Sequence, residues 1–427
     1  MPQFRLLLVG LCLLCTGLLR AQSQDTTTSL TSLLRDYRIQ ATVGLQLWST
    51  YSSGMSVYDN ETEAYSGVDD RLNTQLKRSR FILAGQPYRT LDFQVIAALD
   101  FLGRDVLSAT DAGVNNSASP IFRIWNLYLK WQLKPGSDGA YLAAGYIVSP
   151  LGRESNTPAL RSNSYEKAWS QNYLRRHLVG TGPGRAAGLL FGGQWHADDG
   201  PLHLDYRVAA QNPFFNILGG NSLGRRAAPL LSGRLSLMIG DPESARFSMI
   251  NKVNYFGKRK GVTLSLGAGR QGTTDLFREN TAIGLELLVN HPLLHLDGDI
   301  YWLQRTAQAG TVQSRTGYLR VGTNLPLPRQ LTLEPVVSYW FFRGPTGAGK
   351  SAFATRVQAF SGTDNGLDIG VNLHFNPNLK LSAFYALRRG KAGEGDPVSI
   401  INNYFQQPGL GPIERGNYGG LGLVALF

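Results

Sequence analysis

Apolar and polar residues alternate with a period of two in segment after segment of this 427-residue chain, a pattern that few folds can use. Leu367, Ile369, Val371, Leu373 and Phe375 share one parity, and Asp368, Gly370, Asn372 and His374 the other. From residue 294, Leu294, Leu296, Gly298, Ile300 and Trp302 likewise oppose His295, Asp297, Asp299 and Tyr301. Successive side chains of a strand point to opposite faces, so each segment has one oily and one wet side. A soluble sandwich gives the same alternation. Segment length and the connections must separate the two.

Most segments run about 10–13 residues, longer than ordinary soluble strands and close to the length that crosses a bilayer at a tilt. The pattern predicts strands at 37–48, 75–86, 89–103, 120–134, 139–148, 185–196, 201–211 and 231–241. It continues with 262–271, 280–291, 294–306, 315–326, 330–343, 367–376, 379–390 and 416–427. That makes sixteen, an even number. Short turns (around Gln86–Pro87, Pro135–Asp138, Ala197–Gly200, His291–Pro292, Pro326–Pro328 and Asn376–Asn378) alternate with long loops at 49–74, 149–184, 212–230, 344–366 and 391–415. Outer-membrane barrels have this asymmetry, with short turns in the periplasm and long loops outside. One connection breaks the rule: 242–261 falls where a short turn belongs, yet it is long and partly strand-like from Phe247 to Phe256. Reading it as strand points to eighteen. The expected fold is an all-β transmembrane antiparallel barrel over 37–427, of sixteen strands, with eighteen as the competing count.

The two ends of the chain agree with that expectation. Arg5, the apolar run Leu6 to Leu19 and Ala21 form an export signal over 1–21, followed by a short polar segment at 22–36. Cys15 raises a lipoprotein reading, but Leu14 stands where a lipobox wants a small residue. Cys12 and Cys15 leave with the signal, so the mature chain has no disulfide and no thiolate chemistry. Removing Arg5 and Arg20 lowers the net charge from +12 to +10. At the other end Phe427 closes an alternating strand with Leu421, Leu423 and Ala425, the kind of terminus read by the bacterial barrel-assembly machinery. Middling hydropathy with 49 glycines and 10% aromatics fits a barrel in which only alternate residues face lipid. Bacterial outer-membrane lipid is the expected surrounding, and no nucleic-acid partner is expected.

Two motif matches need a context that the sequence does not supply. Gly344-Pro345-Thr346-Gly347-Ala348-Gly349-Lys350-Ser351 fits the phosphate-binding P-loop pattern. That loop requires a buried parallel strand before it and a helix after it. Here the preceding strand alternates, carries Glu334 and Pro335, and is soon followed by another alternating strand. Gly267-Ala268-Gly269-Arg270-Gln271-Gly272 matches the dinucleotide fingerprint, but Thr263 and Ser265 make its strand half-wet rather than buried. The six histidines are dispersed, with His291 and His295 flanking a proline turn, so no metal pair is expected. No nucleophile–base arrangement stands out, and neither a cofactor nor an enzyme activity is expected.

Arginine is the conspicuous residue of the wet face: Arg38, Arg78, Arg80, Arg207, Arg320 and Arg388 are expected inside the barrel. The 149–184 loop adds Arg153, Arg161, Arg175 and Arg176, and folded inward it would make a constriction. Arginines in a narrow passage raise the local anion concentration and repel cations. They also pair with phosphate-like oxyanions. Rim arginines for lipid headgroups, or wall pairs with Asp92, Asp100, Asp205, Asp297 and Asp299, are the structural alternative. Leu76-Lys77-Arg78-Ser79-Arg80-Phe81-Ile82-Leu83-Ala84-Gly85, followed by a short turn and Leu91-Asp92-Phe93-Gln94, resembles the phosphate-selective porin O/P family. Gly145-Tyr146-Ile147-Val148-Ser149-Pro150-Leu151-Gly152 and Gly240-Asp241-Pro242-Glu243 resemble it more loosely. The resemblance implies a sixteen-strand barrel, a homotrimer, and passage of anions, without assigning phosphate ligands to particular residues. The functional expectation is passive diffusion of small anionic solutes. The alternatives are a plugged barrel that binds partners through its external loops, and an outer-membrane barrel enzyme such as a lipase.

Overall fold

The computed structural model describes residues 34–108, 121–197, 200–213, 228–394, 406–407 and 410–427. The expected signal at 1–21 lies outside them. The chain divides into two compact units, Met1–Ile39 and Gln40–Phe427. In the first, the described residues end in a turn closed by Ile39 N–H to Leu34 O (2.8 Å), with Arg38 at φ 48°. Residues 37–39 therefore precede the first strand rather than belonging to it.

The second unit is a closed antiparallel barrel. Its strands are β1 (Gln40–Ser53), β2 (Arg71–Tyr88), β3 (Leu91–Ala98), β4 (Arg123–Gln132), β5 (Tyr141–Val148), β6 (Arg185–His196), β7 (Leu202–Asn212) and β8 (Leu230–Gly240). They continue as β9 (Gly261–Gln271), β10 (Glu279–Asn290), β11 (Leu294–Ala307), β12 (Gly310–Thr323), β13 (Thr332–Arg343), β14 (Thr363–Asn376), β15 (Leu379–Lys391) and β16 (Asn417–Leu426). Each pairs with its neighbours in sequence, and β16 returns to β1 with Gly44 opposite Leu426 and Ser53 opposite Asn417. Closure leaves no sheet edge, which a strand assembly in lipid requires. Phe427 extends the seam, exchanging backbone hydrogen bonds with Val43 at 2.8 and 3.1 Å.

The alternation is turned inside out relative to a soluble sandwich. Leu235, Leu264, Leu285 and Leu319 are each about half exposed on the outer wall, while Ser236, Asp297 and Arg320 are buried inside. An apolar belt outside and a polar filling inside is the arrangement for lipid, not water.

The 241–260 connection contains no strand, so the barrel has sixteen strands and the eighteen-strand count falls. The hydrophobic residues that mimic a strand there are buried for another reason, described below. Outside, the β1–β2 and β15–β16 loops build a small sheet in which Ser56–Asp59 pairs with both Ala64–Gly67 and Gly411–Glu414.

Among the described loop residues of the barrel there are three short α-helices: α1 (Arg153–Asn156), α2 (Ser170–Val179) and α3 (Ala348–Arg356). Helix α3 begins inside the GPTGAGKS stretch, at Ala348, so a helix is present where the alternation suggested none. The strand before it, β13, is an antiparallel wall strand, and α3 packs Ala354 and Val357 with Val312 of β12. The second glycine motif occupies the end of β9, with Gly272 just beyond it. A Cβ on Gly267 or Gly269 would meet Leu151 at 2.9 or 3.0 Å, so these glycines make room for the inward loop.

Candidate functional site: a cationic cavity beside an inward loop

The β5–β6 loop, 149–184, enters the barrel and seats against one side of it. Its entry is fixed at Gly152, whose N–H donates to Glu286 and to the Tyr301 hydroxyl, each at 2.9 Å. Glu154 of α1 meets Arg320 of β12 at 2.8 Å, and Asp297 takes the same guanidinium at 2.7 Å. Three aromatic side chains of the loop hold the rest through four ring contacts: Trp169 on Trp340, Tyr173 on Phe342 at 4.1 Å, and Tyr165 between Trp48 and Phe384. Flat aromatic contacts in a desolvated layer add to the area they bury. Farther along, Arg161 Nη1 donates to Pro377 O at 2.9 Å in the short β14–β15 turn, so the loop reaches deep into the barrel.

Opposite β2–β6 the loop leaves a cavity of about 550 Å³. Eight cationic residues line it: Arg78, Arg80, Arg123, Arg161, Lys167, Arg175, Arg176 and Arg185. Among the described residues only two carboxylates, Asp100 and Glu166, line it with them, so basic side chains outnumber acidic ones by six. Asp100 pairs with Arg80, and Glu166 with Lys77 at 3.2 Å and Arg78 at 2.6 Å. Among the described residues no carboxylate pairs with Lys167, Arg175 or Arg185. Lys167 donates to the carbonyls of Glu154 and Thr157, Arg175 to Ser155 O at 2.6 Å, and Arg185 to Asn126 Oδ1 at 2.8 Å. Burial lowers the pKa of Arg175 to about 10, and burial with Arg175 nearby pushes Lys167 well down. Trp125 stands between two guanidiniums, with Arg80 4.4 Å and Arg185 4.3 Å from its ring.

The arginines expected from sequence therefore fall into distinct groups. Arg78, Arg80, Arg161, Arg175 and Arg176 come together at the cavity. Arg207 and Arg320 point inward but are engaged by carboxylates of the wall and loop, Arg207 with Asp205 at 3.0 Å. Arg388 lies over the Trp169 and Trp340 rings. Arg153 is wholly buried in a pair with Glu243. Arg38 lies ahead of β1.

Lys77, Arg123, Lys167 and Arg185 were not singled out, and strict parity would have missed two of them. The β1–β2 register shifts between Gln46 and Leu47, so consecutive Lys77 and Arg78 both reach Glu166. A second shift, between Ile96 and Ala97 opposite β4, turns both Trp125 and Asn126 to the cavity. Bulges re-aim side chains in this way. Arg185 shares parity with outward Leu189, but it is the first residue of β6 and follows Gly184 at φ 69°.

No family model and no curated protein matches the chain. Solved structures do resemble it. The outer membrane channel DcaP of Acinetobacter baumannii aligns over 91% of this chain and 97% of its own, at TM-score 0.55 and 11% identity. The anion-selective porin from Comamonas acidovorans aligns over 91% and 99%, at TM-score 0.54 and 12% identity. Pseudomonas putida OprB, in its high-pH structure, aligns over 93% and 96%, at TM-score 0.53 and 10% identity. The fold is that of the outer-membrane porins and channels. With its apolar outer belt, the chain is a β-barrel of the bacterial outer membrane.

Proposed function

We propose that the chain is a diffusion porin that prefers small anions, with the cavity beside the inward loop as its passage. The carrying observation is the lining of eight cations against two carboxylates. Such an excess within low-dielectric walls concentrates anions and repels cations. The forked donors of Arg175 and Arg176 suit phosphate and other oxyanions, in keeping with the resemblance to phosphate-selective porins. Homotrimeric assembly, and barrel-assembly recognition through Phe427, belong to the same reading.

Recording from the purified protein in planar bilayers tests it. Stepwise currents with chloride favoured over potassium are expected, and phosphate should reduce the chloride current. Absence of steps would sink the porin reading, and cation preference would sink the anion reading.

A second reading has its own observation. The lumen is filled on the side of β8–β15, and the external loops form an ordered sheet, as in a plugged barrel acting through its outer surface. The same recording separates the two.

A further inference from the structure

The β8–β9 connection is periplasmic by strand parity, and a periplasmic turn needs only a few residues. This one runs from 241 to 260 and buries Phe247, Met249 and Val253. Phe247 stacks on Tyr141 of β5, and Val253 O accepts from Asn290 of β10 at 2.9 Å. The segment therefore turns back into the lumen and meets the external loop there. Arg153, fully buried at the start of α1, places its two terminal nitrogens on Glu243 at 3.0 and 2.8 Å. It gives a further bond to Lys252 O at 2.6 Å. Beside it the two backbones join directly, Asn251 N–H to Asn156 O at 3.0 Å. Ile250, the next residue back, lines the passage.

We infer that the 241–260 connection is a second constriction element, entering from the periplasmic side, and that Glu243 positions the external loop through Arg153. Removing one partner of a buried, doubly bonded ion pair leaves an uncompensated charge. The loop end carrying Arg153 therefore keeps its seat only while Glu243 is there. Because the inward loop forms one wall of the passage, Glu243 sets the width of a passage whose lining it does not join. Its electrical consequence rests on the porin reading; its structural consequence does not.

The test uses the full barrel with Cys12 and Cys15, the only native cysteines, replaced by serine. In an N156C/N251C variant, diamide should form a disulfide in the folded protein, read as a gel shift reversed by reductant. Adding E243Q should slow that reaction at least about tenfold, and E243D should restore most of it. In planar bilayers E243Q should change both the conductance step and the chloride-to-potassium ratio, with E243D close to wild type. No disulfide in folded N156C/N251C protein, or equal rates with and without E243Q, would overturn the inference. Silent wild-type bilayers with the disulfide pattern as expected would remove the porin reading and leave the loop-positioning role standing.

Discussion

Glu154 and Arg320 lie 166 residues apart in sequence and form a fully buried ion pair, with Glu154 Oε2 2.8 Å from Arg320 Nη2. Arg320 also holds Asp297 and the hydroxyls of Ser162 and Ser164, so one wall side chain gathers both ends of the loop's descending limb. The position of the loop wall of the cavity depends on this seat.

Removing the two partners should therefore have unequal effects. Arg320→Met strands two buried carboxylates and should cost about 3–5 kcal/mol, the range for breaking a buried pair. Glu154→Gln leaves Arg320 paired with Asp297 and should cost less. Urea midpoints of the vesicle-embedded barrel should show that order. Equal losses would contradict the arrangement.

The excess of cations predicts a charge effect that depends on position. Arg175→Glu or Arg176→Glu should lower the chloride-to-potassium permeability ratio by about an order of magnitude. Arg270→Glu, at an exposed position outside the cavity lining, should leave it nearly unchanged. Reversal potentials across a salt gradient measure both. The difference should shrink at 1 M salt, where screening falls to about 3 Å.

Acid should loosen the loop through His177. Burial, with Arg305 nearby, lowers its pKa from 6.5 to about 3, so it is neutral in the folded barrel. Its Nε2 donates to Thr281 O at 2.8 Å. A depressed folded pKa means the stabilisation is complete above about pH 6.5 and is lost progressively as pH falls toward 3. Glu243 behaves differently. Burial opposes its ionisation, but Arg153 outweighs that and holds it at about 2, so the Arg153–Glu243 pair should persist through this window. His177→Gln should flatten the stability profile between pH 6.5 and 4, measured by urea unfolding at each pH.

Gly145 is expected to tolerate no side chain. It has φ 145°, and a Cβ there would collide with the Leu127 carbonyl across the β4–β5 pair. Gly145→Ala should cost at least about 1–3 kcal/mol and reduce the folded fraction on refolding into vesicles, read by heat-modifiable gel mobility. Gly136, in the turn just below at φ 76°, has open space around it and should lose less with alanine.

Much of the barrel was legible because its signal is local. Leu294, Leu296 and Trp302 face out while His295, Asp297 and Tyr301 face in, as period two requires when one face meets lipid. Loop lengths set sidedness, and the chain end at Phe427 sits at the closing seam. The sequence by itself thus determined an antiparallel membrane barrel with an even number of strands, sixteen or eighteen, and a long loop bearing arginines, because strand periodicity and hydrogen-bond closure in lipid leave almost no other solution. It could not say which arginines stay uncompensated. Arg320 and Arg175 look alike in sequence, but one finds Asp297 and Glu154 across the lumen, while the other, among the described residues, donates to the Ser155 carbonyl and pairs with no carboxylate. Bulges at Lys77 and Trp125 reverse local parity, and 241–260 spends its apolar residues on the lumen rather than on a strand. Only the tertiary structure decided these, because each depends on partners brought together by closing the barrel rather than by neighbours along the chain.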